Sequence, residues 1–232
     1  MNHFCFYSAS VLIHMDMEKN SRTFSLNDIQ NLESRFRTTF INSLGGFKSL
    51  ALIGTRNKKG ETNLAIFNSI VHLGASPPLI GFIIRPDSVD RHTLSNILET
   101  GELTINHVQE DFYERAHQTS ARYPEGVSEF AETGLTEEYQ FGMYAPFVKE
   151  SAVQIGAAFR QRIDISENGT VMIVAKIKHV VIPEGILQKD GYLDLHKAGT
   201  ITCSGLDSYH RTEPIARLAY ANPKMMAEKN QN

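Results

Sequence analysis

The chain has 232 residues, of which 41% are hydrophobic, so it can bury a sizeable core as one large domain or two small ones, and one domain is predicted. The formal net charge is -3, and the basic residues are scattered rather than clustered, which argues against a nucleic-acid partner. The two cysteines, Cys5 and Cys203, are too few and too far apart for a disulfide framework or a cysteine-based zinc site, which fits a reducing compartment and predicts a cytoplasmic protein.

Residues 1–22 are predicted to be a flexible tail outside the core. The stretch from Phe4 to Ile13 is apolar, but it lacks a preceding basic region and is far too short to span a bilayer, so no membrane partner is predicted. An alternative interpretation is a start codon assigned upstream of the true one, because Met15 and Met17 follow closely.

An amphipathic N-terminal helix is predicted after Asn27, because apolar residues then recur at three- and four-residue spacing until Gly45-Gly46 ends the pattern. The apolar residues of this helix are Ile29, Leu32, Phe36, Phe40 and Leu44.

Three strands are predicted next. The stretch from Phe47 to Arg56 is apolar and extended, residues 57–60 form a turn, and Thr62 to Leu73 continues as a second strand, which makes a hairpin. A third strand, Leu79 to Arg85, follows the break at Pro77-Pro78.

A helix is predicted from about Arg91 to Glu99, with Leu94, Ile97 and Leu98 on one side. Leu103 to Val108 then alternates like a strand.

Residues 109–122 are predicted to be a polar helix, and residues 122–146 an ordered excursion that serves as a lid or a dimer arm. Two further strands, Ala152 to Ile163 and Val171 to Ile182, flank an Asn168-Gly169 turn, which is a strong hairpin signal.

The end of the chain predicts one more short strand within residues 190–205 and a solvated tail at residues 216–232. Hairpins with inserted helices favour a small β-barrel over alternating βαβ units, in a single domain spanning residues 23–215.

Residues 61–101 predict an anion site. A strand becomes polar at Asn68 and Ser69, Arg85 ends the strand that follows, and a new helix opens with Arg91-His92-Thr93. The first N–H groups of a helix lack partners and its dipole favours negative charge, so the segment predicts a phosphate-bearing cofactor. The alternative interpretation of Arg85 is a surface arginine at the end of a strand. The alternative for Thr93 is a residue whose hydroxyl caps the start of its own helix.

Several segments in a fixed order carry a family resemblance. They are Leu52-Ile53-Gly54-Thr55, Asn63-Leu64-Ala65-Ile66-Phe67-Asn68-Ser69, Ser76-Pro77-Pro78-Leu79, and Thr93-Leu94-Ser95-Asn96-Ile97 followed by Glu99-Thr100-Gly101. Together they resemble the flavin reductase family of FMN-binding split-barrel proteins, which includes flavoredoxins. Ala116 to Ala121 and Gly205 to Tyr209 resemble one branch of that family, so the similarity covers residues 45 to 210.

The resemblance implies a mainly β fold with inserted helices: a six-stranded FMN-binding split β-barrel with an N-terminal helix. It also implies a homodimer with FMN near the subunit interface, reduced by NADH or NADPH. The electron acceptor is left open, with a protein among the candidates. Two alternatives remain, namely an FMN-carrying electron-transfer protein reduced by a protein partner and a non-catalytic FMN-binding module.

The same resemblance implies which residues bind the cofactor. The expected phosphate contacts are Asn68, Ser69, Arg85, Arg91, His92 and Thr93. The expected flavin-ring contacts are backbone groups of Asn63, Leu64 and Ala65, with Ile66 beside them.

Further site candidates lie later in the chain. His117 and Ser120 are candidate contacts to flavin or nicotinamide, with a solvated polar helix as the alternative. Ser151, with Glu150, and Asp207 to Tyr209 are weaker candidates, for which hydrogen-bonded loop closure is the alternative.

No catalytic residue is assigned with certainty, because hydride transfer is the chemistry of the cofactors. No metal site is predicted, since neither His-x-x-x-His nor Cys-x-x-Cys occurs on a plausible element. A Gly-x-Ser-x-Gly elbow and a Gly-x-Gly-x-x-Gly fingerprint are also missing, so a nicotinamide nucleotide is expected to bind only transiently over the flavin.

Overall fold

The computed structural model describes residues 21–86, 91–124 and 126–221. Most of the predicted tail 1–22, residues 87–90 and the end of the predicted tail 216–232 lie outside these ranges. Residues 211–221 are exposed and have no regular secondary structure.

The described ranges contain five helices and twelve strands. The helices are α1 (Leu26–Asn31), α2 (Ser34–Leu44), α3 (His92–Thr100), α4 (Tyr113–Gln118) and α5 (Glu129–Thr133). The strands are β1 (Lys48–Ser49), β2 (Ala51–Arg56), β3 (Thr62–Phe67), β4 (Ile70–Ala75), β5 (Pro78–Ile84), β6 (Glu102–His107), β7 (Glu137–Glu138), β8 (Phe147–Val148), β9 (Gln154–Ile165), β10 (Thr170–Val181), β11 (Thr202–Ser204) and β12 (Ser208–His210). None of these helices is long and apolar enough to cross a membrane.

Seven strands form one antiparallel sheet in the order β3-β2-β6-β9-β10-β5-β4. The edge strands β3 and β4 are consecutive in the chain and are joined by only two residues, Asn68 and Ser69. Such a short connection reaches from one edge to the other only if the sheet curls round on itself. The fold is therefore a barrel that is split between β3 and β4.

The bend between β3 and β4 divides the stretch that was predicted as one strand, Thr62 to Leu73. The Ser69 hydroxyl donates to the Ile83 carbonyl at 3.0 Å and accepts from the Ile83 N–H at 3.2 Å. These two bonds tie the bend to β5, so a polar residue in an apolar run marks the turn of the chain rather than its continuation.

The N-terminal segment forms two helices where the sequence predicts one. Ser25 and Asp28 form a capping box at the start of α1. The backbone is extended at Leu32, and the Glu33 carboxylate then accepts the N–H groups of Arg35 and Phe36 to begin α2. The cap at Glu33 therefore begins a new helix within an apolar pattern that predicted one continuous helix.

Two other predicted elements differ from the structure. Only β2 of the stretch from Phe47 to Arg56 enters the barrel, because β1 pairs with β11 in a separate three-stranded sheet that also contains β12. Leu98, predicted on the apolar side of α3, is 45% exposed, since Leu94 and Ile97 fill the space against the barrel.

Among the described residues, two of the three hydrophobic core clusters share β2. Ala51 and Ile53 belong to the core inside the barrel, beneath α3, whereas Leu52 belongs to a core formed with α4, α5 and the small sheet. Successive side chains of a strand point to opposite faces, so β2 is buried on both. This second layer places α4 and α5 beside β3.

The predicted excursion, residues 122–146, contains α5 and β7 and returns to the barrel at a fixed place. A Cβ at Gly54 would collide with the Pro146 carbonyl oxygen, to which the Thr104 hydroxyl donates at 2.6 Å. A glycine is needed there because the returning backbone lies directly on the sheet. The role of the excursion as a lid or a dimer arm stays a prediction.

Candidate ligand-binding cleft

A cleft of about 870 Å³ lies beside β3 and the bend that follows it, within the usual size range of small-molecule sites. Its walls come from β3, the end of β5, the start of α3, the end of α4 with the following loop, and the turn before β12. Thirteen predicted site residues line it: Asn63, Ala65, Ile66, Asn68, Ser69, Arg85, Arg91, His92, Thr93, His117, Ser120, Asp207 and Tyr209.

Four predicted site residues do not line the cleft, namely Leu64, Glu150, Ser151 and Ser208. The Leu64 side chain is fully buried in the second core, and its N–H donates to the Glu129 carboxylate at 2.9 Å. The Ser151 hydroxyl lies 2.8 Å from the His107 carbonyl and 2.9 Å from the Val153 carbonyl. Ser151 therefore closes a loop at the entrance to β9, and its role in binding a ligand stays a prediction.

Three arginines from separate segments form a basic cluster on the cleft wall: Arg85 after β5, Arg91 before α3, and Arg122 after α4. Burial lowers the pKa of Arg91, and the charges of the other two arginines lower it further. A bound anion would relieve this repulsion and could accept guanidinium hydrogen bonds. The basic cluster is thus suited to a phosphate.

The start of α3 opens on the same cleft. The side chain of Arg91, the N-cap residue, makes no capping hydrogen bond, and the first backbone bond among the described residues at this end runs from the Ser95 N–H to the Arg91 carbonyl at 3.0 Å. The N–H groups of His92, Thr93 and Leu94 consequently have no partner within the helix. They are positioned to donate to an anion.

A buried polar network fixes Thr93 at the start of α3. Its hydroxyl oxygen accepts from the Asn63 side-chain amide at 3.0 Å, and the same amide lies 3.4 Å from the Thr55 hydroxyl, which also accepts from Asn96 at 3.2 Å. Because the Thr93 oxygen accepts in this network, its proton remains available to a ligand in the cleft.

Asn68 and Ser69 already have scaffold partners. The Asn68 amide donates to the Gly205 carbonyl at 3.1 Å, and Ser69 bonds to Ile83 across the bend. Both residues line the cleft, but their hydrogen bonds hold the bend against its neighbours. Phosphate binding by these two side chains stays a prediction.

A buried carboxylate, Glu129 of α5, also lines the cleft. Burial raises the pKa of Glu129, and the hydrogen bond from Leu64 and the charge of His92 oppose that rise. This residue was not predicted as a site residue, because it lies in the excursion, where the sequence shows no clear periodicity. Its neighbour Phe130 packs in the second core. An acidic residue next to an aromatic core residue is the sequence feature that could have identified Glu129.

A histidine and a tyrosine form a second polar group in the cleft. The His117 Nδ1 atom lies 2.6 Å from the Tyr209 hydroxyl. Burial chiefly raises the pKa of Tyr209 to about 12, with added contributions from Cys203 and Asp207. The pair joins residues 92 positions apart, so no local pattern predicts it.

Other lining residues were also missed, among them Arg122, Tyr123, Asn42 and Leu50. Asn42 and Leu50 lie inside predicted elements, and Arg122 and Tyr123 lie at the start of the predicted excursion. None of these four residues belongs to a motif. Among the residues that the structure describes, no group of three or more His, Cys, Asp or Glu side chains is arranged to hold a metal ion.

Comparison with known proteins gives a consistent result. The flavin reductase like domain matches residues 47–199. A protein of Shewanella frigidimarina assigned as a flavin reductase with a split barrel domain is 48% identical, with a TM-score of 0.84, covering 87% of this chain and 100% of that one.

Two more distant structures share the fold. Nitrilotriacetate monooxygenase component B from Bacillus cereus is 19% identical with a TM-score of 0.76, covering 86% of this chain and 100% of that one. Flavoredoxin of Desulfovibrio vulgaris is 21% identical with a TM-score of 0.66, covering 76% and 92% of the two chains. The predicted split-barrel fold is confirmed.

Proposed function

The chain belongs to the flavin reductase like domain family, and from that premise we propose that it binds FMN in the cleft, accepts electrons from NADH or NADPH and passes them to an acceptor. Membership supports a flavin-related oxidoreductase in general. The observation that carries the specific proposal is the basic cluster beside the start of α3, in one cleft with an edge strand.

The phosphate of FMN is the part of the ligand that this arrangement fits best. The guanidinium groups of Arg85 and Arg91 supply positive charge and paired donors. The N–H groups at the start of α3 and the Thr93 hydroxyl supply further donors. A flavin without a phosphate would leave these donors unused.

The flavin ring is proposed to lie along β3. This strand is at an edge of the sheet and pairs only with β2. The Leu64 N–H points away from β2, since it donates to Glu129, and by the two-residue period the N–H and C=O of Ile66 point the same way. Ile66 lines the cleft, so its backbone groups can bond the polar edge of the ring.

Bound flavin supplies the hydride chemistry, and the residues of the chain position it. The phosphate contacts set the depth of the cofactor, and the β3 backbone sets the plane and register of its ring. A nicotinamide nucleotide would approach from the open side of the cleft, where His117 and Ser120 are exposed.

A homodimer is proposed as the working form. Helices α1 and α2 bury no residue, although Phe36 is 54% exposed and Leu44 is 65% exposed. A second copy of the chain could cover these apolar side chains. Light scattering after gel filtration should give twice the mass of the chain, and a monomer at all concentrations would contradict the dimer.

The absorbance spectrum of the purified protein, followed by anaerobic mixing with NADH and with NADPH, tests the proposed function. We expect a flavin spectrum, either as purified or after adding FMN, that one nucleotide bleaches faster than it bleaches free FMN at the same concentration. Bound FMN that neither nucleotide bleaches would overturn the reductase assignment and favour reduction by a protein partner. A chain that binds no FMN would overturn the whole proposal.

A further inference from the structure

Both residues of the His117–Tyr209 pair line the cleft, and the FMN contacts proposed above do not use them. The Nδ1 atom and the hydroxyl are 2.6 Å apart, and the two rings meet edge to face with centroids separated by 5.7 Å. His117 is exposed, whereas Tyr209 is partly buried. The imidazole can therefore exchange protons with water while it remains bonded to a hydroxyl inside the cleft.

The surroundings of Tyr209 keep its hydroxyl protonated. His117 and Tyr113 approach from α4, with the Tyr113 ring centroid 5.3 Å away. Cys203 is its partner in β11, and Asp207 precedes it in the turn. Burial, Cys203 and Asp207 all raise the pKa of the tyrosine. Like an ordinary tyrosine it is protonated near neutral pH, and the shift leaves it a weak acid that gives its proton only to a strong base such as an enolate.

We propose that the His117–Tyr209 pair donates the proton when reduced flavin in the cleft transfers a hydride to an α,β-unsaturated carbonyl compound. The protein would then reduce an organic substrate directly, in addition to accepting electrons from a nicotinamide nucleotide. This inference rests on the proposed function, which supplies the reduced flavin.

The proposed step is balanced. The hydride brings two electrons from the flavin, which is oxidised, and forms a C–H bond at the β carbon as the π bond breaks. The hydroxyl proton of Tyr209 forms the C–H bond at the α carbon. The Nδ1 proton of His117 then moves to the tyrosinate oxygen while Nε2 takes a proton from water.

A positioned proton donor distinguishes this substrate class from one-electron acceptors. An acceptor that takes electrons singly forms no C–H bond and gains little from a general acid. Protonation at carbon is slow without one, and a positioned acid contributes about 10²- to 10⁴-fold to such steps. The pair therefore indicates a substrate that is protonated as it is reduced.

The test uses the full chain with bound FMN, photoreduced without any nicotinamide nucleotide. Anaerobic mixing with 2-cyclohexen-1-one as the probe should return the absorbance of oxidised flavin. Tyr209→Phe should slow this return by at least about 100-fold. His117→Gln should slow it by about 10-fold.

Two controls separate proton donation from a structural role. Oxidation of the reduced flavin by ferricyanide, which requires no protonation at carbon, should proceed at the same rate in all variants. Tyr113→Phe removes a neighbouring hydroxyl that bonds to Glu114 at 3.2 Å, and it should leave the reaction with the enone unchanged.

The possible outcomes are distinct. If the enone oxidises the flavin equally fast in Tyr209→Phe and wild type, or fails to oxidise bound reduced flavin at all, the inference is overturned while the proposed function stands. If no flavin is bound, the proposed function is overturned and the inference with it.

Discussion

The basic cluster and the His117–Tyr209 pair line the same cleft but have different electrostatic surroundings. The charges that act on Arg91 are those of Arg85 and Arg122, whereas those that act on Tyr209 come from Cys203 and Asp207. The first group carries permanent charge and suits binding of an anion, while the second holds a proton that can move. Affinity and proton transfer should therefore respond to different substitutions.

The largest expected effect follows removal of charge from the basic cluster. In the double variant Arg85→Ala and Arg91→Ala, the dissociation constant for FMN should rise by about 100-fold or more, because two charge-assisted contacts are lost. The affinity for riboflavin, which has no phosphate, should change by less than about 3-fold. Titration calorimetry with both ligands measures the difference.

Arg160→Ala provides the matched control for the arginine variants. Arg160 is exposed on β9, where it bonds to the Phe159 carbonyl, and it does not line the cleft. Its loss should leave both affinities unchanged. Equal weakening of FMN and riboflavin binding in the double variant would contradict the phosphate assignment.

A smaller effect is expected at the start of α3. Thr93→Val removes the hydroxyl that the Asn63 network orients toward a ligand, and FMN should bind about 10-fold more weakly. Thr93→Ser keeps the hydroxyl and should retain affinity close to that of wild type. If Val and Ser at this position bind FMN equally well, the threonine acts only in the scaffold.

A modest pH effect is expected from Glu129, whose pKa is raised by burial. Below its folded pKa the carboxyl is neutral, and above it a negative charge enters the cleft, so FMN affinity should fall as pH rises through that pKa. Glu129→Gln should remove this fall and strengthen binding about 3-fold at high pH. Glu132→Gln, at an exposed position on the same helix, should keep the wild-type dependence, and identical profiles for all three proteins would contradict the role of Glu129.

The same carboxyl affects stability with the corresponding sign. Between its ordinary value of 4.5 and its raised folded pKa, the unfolded chain holds fewer protons at this residue than the folded one. The contribution of Glu129 to the free energy of unfolding is therefore fully present below pH 4.5 and is lost as pH rises through the folded pKa. Denaturant melts of wild type and Glu129→Gln across this range would show the difference.

The smallest effect on binding is expected from Tyr209→Phe. The ring and its packing on Tyr113 are kept, so the dissociation constant for FMN should change by less than about 3-fold. A large loss of FMN affinity, measured by the same calorimetry, would mean that the tyrosine belongs with the binding residues and would remove the contrast between the two groups.

Sequence patterns predicted local elements better than their assembly. The Asn168-Gly169 turn and the helix that ends before Gly101 carry signals within a few residues, and both lie where they were predicted. The bend at Asn68–Ser69 was read as a continuous strand because its cause, the bond to Ile83, comes from another part of the chain.

For the site too, residues with local sequence signals were predictable, whereas contacts between distant segments were not. Residues near the β3 bend and the start of α3 were identified because a polar strand end and a helix opening are local signals, supported by the family resemblance. Arg122 and Glu129 gave no such signal, because their position in the cleft depends on how α4 and α5 pack against β3. The contact between His117 and Tyr209 likewise exists only in the folded chain.

A crystal structure of the chain with FMN would test the central claim most directly. We predict that the phosphate lies within hydrogen-bonding distance of Arg91, the Thr93 hydroxyl and the first N–H groups of α3, with the flavin ring along β3. A phosphate outside the basic cluster, or a ring away from β3, would contradict the proposed binding mode.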